Sequence, residues 1–147
     1  MVKNLQVNFD KNINFQKKLV HEIVHFVRNE LKCEVTSLIV NFVSTSYLLE
    51  INNKYLSHNF ETDIITFNYS GSHKYLDGEI FISYEVAAFN AKKFGVSKID
   101  EYFRLVIHGI LHLMKYDDHE KKDKIKMKRM ENSLLERFSS KDRKKRS

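Results

Sequence analysis

The chain has 147 residues, one cysteine, no proline, and 25 Lys/Arg against 19 Asp/Glu for a formal net charge of +6. That is the length of one domain, large enough to bury a core without disulfide staples, and Cys33 alone cannot close an internal bridge. No apolar run approaches the roughly 18 residues of a membrane span, and the stretch from Val2 to Gln6 is too short and polar for a secretory signal, so a soluble protein of the reducing cytoplasm is expected.

In chain order, Val2, Leu5, Val7 and Phe9 alternate loosely enough to predict a first strand over residues 2–9. Phe15, Leu19, Ile23, Phe26, Val27 and Leu31 follow the helical period over residues 15–32. The β-branched stretch from Val35 to Val43 predicts a strand. Ser44, Thr45 and Ser46 then offer N-cap oxygens to a helix running to about Leu56. Residues 62–69 are the most strand-like segment, and a turn around Gly71 leads to a strand over Gly78 to Ser83, as in a hairpin. Ser83 caps a helix ending at Gly95, and Ser97 and Asp100 match a capping box for the next one. A last amphipathic helix over residues 120–138 turns Ile125, Met130, Leu134 and Phe138 inward, leaving residues 139–147 as a basic, disordered tail. Strands and helices mixed in one unit, residues 1–138, make an α+β domain.

Charge is unevenly spread: residues 121–147 hold 12 of the Lys/Arg and 4 of the Asp/Glu. Such a basic end suits a polyanion, with Lys121, Lys122, Lys124, Lys128 and Arg129 as candidate phosphate contacts, and suits equally a solubilising lysine-rich helix.

Two histidine pairs have metal-ligand spacing. His21-Glu-Ile-Val-His25 is a literal H-E-x-x-H, yet both rings fall about 160° from the apolar centre at Ile23, in water. The Gly and His that an elongated protease motif requires downstream are Arg28 and Leu31. His108 and His112 differ. Their helix is apolar nearly all round, and its polar exceptions, Glu101, Arg104, His108 and His112, lie within about 40° of His108. Such a strip on a buried helix needs partners, metal or water. Two imidazoles a turn apart, followed at the helix end by Asp118 or His119, describe three ligands and an open position, as in a catalytic metal site. The competing account is a pair of core histidines bonded to neighbours. Gly109 leaves room beside His108 for a ligand or another backbone.

The segment His108-Gly109-Ile110-Leu111-His112-Leu113, with Tyr116-Asp117 after it, resembles the metal motif H-G-x-L-H-L-x-G-Y-D-H of the YbeY family of bacterial endoribonucleases. Tyr55 through Thr62-Asp63-Ile64-Ile65-Thr66-Phe67 is similar to the family's second signature, and Gly78-Glu79-Ile80-Phe81-Ile82-Ser83 to its strand motif, with Glu for the usual Asp. Glu101 and Met130-Glu131 also fit, so the likeness covers residues 35–136. It implies a zincin-like α+β fold: a small mixed four-stranded sheet packed with helices around a central metal helix. It further implies one bound zinc ion, single-strand-specific RNA cleavage, 16S ribosomal RNA 3′-end maturation and ribosome quality control. The partners implied are single-stranded RNA, ribosomal RNA and the small ribosomal subunit, with no DNA and no membrane.

The chain departs from the family at three points. Asp118 stands in register for the third histidine, with His119 one place later; register favours Asp118, whose negative charge would make a metal-bound water less acidic. Lys115 replaces the family Gly at the helix end, where a positive φ would cost about 1 kcal/mol. Leu56 replaces the family Arg, a candidate phosphate clamp for which His58 or Arg104 could substitute. With Gly109 after the first ligand there is no built-in glutamate base, so the candidates beside His108 are Glu101, Asp63, or none beyond metal hydroxide. Thr62, Asp63 and Thr66 also read as supports for the ligands. Outside catalysis, the alternative is an RNA- or ribosome-binding module with a structural metal; a small metalloprotease rests on fold analogy alone.

Overall fold

The computed structural model describes residues 1–11, 13, 15–56, 63–116 and 119–146. Among the described residues, four strands and five helices follow one another: β1 (Leu5–Phe9), α1 (Lys17–Leu31), β2 (Glu34–Val43), α2 (Thr45–Leu56), β3 (Ile64–Asn68), β4 (Tyr75–Ser83), α3 (Tyr84–Phe94), α4 (Lys98–Leu113) and α5 (Lys121–Arg146). The sheet order is β1-β2-β4-β3, with β1, β2 and β4 parallel and β3 antiparallel to β4. The architecture is α+β with a mixed four-stranded sheet. Among the described residues no helix is long and apolar enough to cross a membrane.

Alternation along the strands assigns the two faces of the sheet. Leu38, Val40 and Phe42 of β2 and Leu76, Ile80 and Ile82 of β4 enter the main core with α1, α4 and α5. Val43, Ile65, Phe67 and Phe81 point the other way, onto Leu48 and Ile51 of α2. Helix α4 is the hub, packed against α1, α3, α5, β3 and β4. Its approach to the sheet depends on Gly109: a Cβ there would lie 2.8 Å from Ile80 Cδ1 and 3.2 Å from Ile64 Cδ1. The room expected there for a ligand or another backbone is taken by these two side chains, so the glycine seats the helix on β3 and β4.

Caps form where the sequence places them. Ser83 Oγ accepts from Val86 N–H, Ser97 Oγ from Asp100 N–H at 3.0 Å, and Ser44 Oγ from Tyr47 N–H. Two features of α5 differ. Ile125 is 47% exposed, and the inward stripe is Met127, Glu131, Leu134 and Phe138, because the helix rolls to bring Glu131 to α4. The helix also continues through residues 139–146, expected as a structureless tail; its Lys and Arg are good helix formers and neither Gly nor Pro stops it.

Candidate active site

Helix α4 carries Glu101, Arg104, His108 and His112 in one line, and α5 supplies Glu131 opposite. Glu131 is 3% exposed, and a buried carboxylate needs strong partners. It has two: Oε1 accepts from Arg104 Nη1 at 3.0 Å, and Oε2 lies 2.5 Å from His108 Nδ1. An ionised carboxylate only accepts, so His108 Nδ1 carries the proton and donates. In the neutral ring this leaves the lone pair on Nε2, which faces His112 Nε2 at 2.9 Å. The two rings meet edge to face, their centroids 4.5 Å apart.

Arg104 is tied more tightly still. Its Nε and Nη2 donate to the two oxygens of Glu101 at 2.8 and 2.6 Å, and Asp63 Oδ2 lies 3.8 Å away. These bonds to Glu101, with the charges of Glu101 and Glu131, raise the guanidinium's pKa against the effect of burial, so Arg104 stays charged. Asp63 closes the ring, weakly bonded to Asn90 Nδ2, which also reaches Glu101. Burial pushes the Asp63 carboxyl above its ordinary value, with Arg104 and His108 pulling the other way. Among the described residues, the carboxylates of Asp63, Glu101 and Glu131 outnumber the Arg104 guanidinium beside the imidazoles, a setting that favours a cation.

The site opens into a cleft of about 580 Å³ between α3 and α5, lined among others by Asp63, Glu101, Arg104, His108 and Glu131. Of the five expected phosphate contacts, Lys124 and Lys128 line it; Lys121, Lys122 and Arg129 are exposed elsewhere on α5.

The turn after His112 is clamped by the β3–β4 hairpin. Asn68 Nδ2 donates to Leu113 O at 3.0 Å, and His73 Nδ1 lies 3.1 Å from Met114 O. Lys115 sits at φ 69°, its N–H bonded to His112 O and that of Tyr116 to Leu111 O. This is a Schellman turn with lysine at the position that favours glycine.

A zinc ion suits the donors present. Two Nε2 atoms converge, the carboxylate behind one of them fixes its tautomer as in many metal-bound histidines, and their 2.9 Å separation is slightly under the ~3.3 Å spanned by two tetrahedral zinc donors. Among the described residues, no three His, Cys, Asp or Glu side chains form a cation site. His119 is exposed; Asp118, the favoured third donor, lies outside the described residues, as do Asp117, His58 and Thr62, and the Leu56 side chain is likewise not described. Sequence reading missed the role of Glu131. Its signal was an acid in the stripe Met127, Leu134, Phe138, visible once that stripe is phased correctly.

Comparison with known proteins gives concordant results. The family model described as Endoribonuclease YbeY matches residues 2–139. Similar proteins include Endoribonuclease YbeY of Chlorobaculum parvum, 35% identical over 134 residues, covering 91% of this chain and 94% of that one. That of Amoebophilus asiaticus is 33% identical over 130 residues, covering 86% and 88%. The solution structure of TM1509 from Thermotoga maritima superposes with a TM-score of 0.66 at 24% identity, over 96% of this chain and 93% of that one, a match of fold.

Proposed function

The chain belongs to the Endoribonuclease YbeY family, and from that premise we propose that it is a zinc-dependent endoribonuclease of single-stranded RNA, working in the cytoplasm on the small ribosomal subunit. The step assigned to it is maturation of the 16S ribosomal RNA 3′ end, with ribosome quality control beside it. The observation that carries the reading is the convergence of His108 and His112 through Nε2, with His108 held from behind by a buried glutamate.

His108, His112 and Asp118 (or His119) would hold the ion, which when bound supplies Lewis acidity toward a phosphoryl oxygen and a water acidified to attack. The chain's own groups do the rest. Glu131 keeps the His108 lone pair aimed forward. Glu101 has both oxygens engaged by Arg104 and is buried, which makes it the anchor of the guanidinium. Asp63 is the carboxylate at the cleft with the raised pKa, and we assign it the general base, since a base titrating nearer neutrality transfers protons more effectively. Lys124 and Lys128 contact phosphates without regard to sequence.

A structural-metal module would call for a fourth protein donor, whereas His108 faces an open cleft. The deciding assay incubates zinc-loaded protein with single-stranded RNA, duplex RNA and casein, beside His108→Ala and a chelator control. Cleavage of the single strand alone, lost in both controls, is expected. Intact RNA despite stoichiometric zinc would refute the enzyme.

A further inference from the structure

The cleft extends past the catalytic groups to features that hydrolysis itself does not require. At its outer end Phe94, the last residue of α3, is 62% exposed, and Gly95 at φ 67° turns the chain so that Val96 lines the same wall. Lys93 Nζ stands 5.5 Å from the Phe94 ring centroid. Across the cleft, Lys124 and Lys128 lie one helical turn apart on α5, with Asn132 a turn further. The floor is acidic, the rims are basic, and one lip carries an aromatic face. Exposure alone would single out nothing, since Phe89 of the same helix is 66% exposed; what sets Phe94 apart is that it lines the cleft shared with Lys124, Lys128 and His108.

We infer that Phe94 is a stacking platform for one unpaired base flanking the scissile bond, with Lys124 and Lys128 holding the adjoining phosphates. This rests on the endoribonuclease reading. The chemistry of the cleft selects such an occupant: lysines match phosphodiesters, and an aromatic face accepts any base. An acidic peptide would match the lysines equally well but offers no base to stack on the exposed Phe94 face. The platform also supplies a physical basis for strand selectivity, because a base inside a duplex has no free face to offer Phe94. Phe94 binds and positions substrate, and takes no part in proton transfer.

The test compares zinc-loaded wild type, Phe94→Ala and Phe94→Trp on a short single-stranded RNA, and on the same RNA with an abasic nucleotide next to the cleavage position. For Phe94→Ala, KM should rise about tenfold with kcat nearly unchanged, and Phe94→Trp should restore it. The abasic substrate should cost the wild type a similar factor, and combining it with Phe94→Ala should add little more. Full additivity, or an unchanged KM for Phe94→Ala on the intact strand, would overturn the platform while wild-type cleavage leaves the enzyme standing. A wild type that does not cleave the intact strand would remove the enzymatic reading instead.

Discussion

Two histidine pairs share the i, i+4 spacing in this chain, and their surroundings divide them. On α1, His21 Nδ1 accepts the N–H of Val2 at 3.1 Å, while His25 meets Arg28 and Asn29 on the exposed face. On α4, His108 is braced by a buried glutamate and aimed at His112. Spacing brings two rings to one side of any helix; only a second layer of buried groups sets tautomer, ring angle and local charge. The first pair fits the H-E-x-x-H pattern, but contrary to the expectation that both rings stand in water, His21 is half-buried against Val2 and His25 alone is exposed. The second lacks the glutamate within its motif and recruits one from a helix 23 residues away.

Substitution should separate the pairs most sharply. His108→Ala or His112→Ala should lower RNA cleavage by a factor on the order of 10³, since a metal centre is worth several kcal/mol to the barrier, while His25→Ala leaves the rate unchanged. Equal losses at both pairs would undo the contrast.

Next in size, Asp63→Asn should reduce kcat about a hundredfold. Its pH dependence has a definite sign. The folded carboxyl titrates above its unfolded value, so its charge costs stability at neutral pH, and that cost disappears as pH falls through the folded pKa. Asp63→Asn should therefore hold or raise Tm at pH 7, and the acid limb of the wild-type rate should lie above the ordinary aspartate value. A lowered Tm would contradict the burial effect.

Glu131→Gln keeps the shape but removes the charge behind His108; zinc affinity, read by competition with a chromophoric chelator, should weaken about ten- to a hundredfold. Unaltered affinity would reduce Glu131 to a packing residue. The smallest effect concerns the turn beyond His112. Lys115→Gly relieves a left-handed backbone and should stabilise the fold by about 1 kcal/mol, a rise of roughly 2–4 °C in Tm.

Much of this was legible in advance. The β-branched run of β2, the hairpin around Gly71, and the caps at Ser83 and Ser97 are local chemistry, and each element formed there. The polar line on α4 was equally readable, because period 3.6 places Glu101, Arg104, His108 and His112 together whatever surrounds them. The phase of α5 was not. Ile125 is the more apolar residue, yet Met127 is buried, since ion-pairing Glu131 with Arg104 and His108 sets the roll of that helix. The purpose of Gly109 also needed its neighbours: it serves contact with Ile80 and Ile64.

Sequence by itself determined which residues could do chemistry and on which helix face they stand, because side-chain type and backbone periodicity are local properties. Tertiary structure decided which of them act together. Asp63 just ahead of β3, Glu101, Arg104 and His108 of α4 and Glu131 of α5 come from three separate parts of the chain, and only packing α4 between the sheet and α5 brings three carboxylates, a guanidinium and an imidazole within reach of one another. Electrostatic coupling falls off with distance in space and takes no account of separation in sequence.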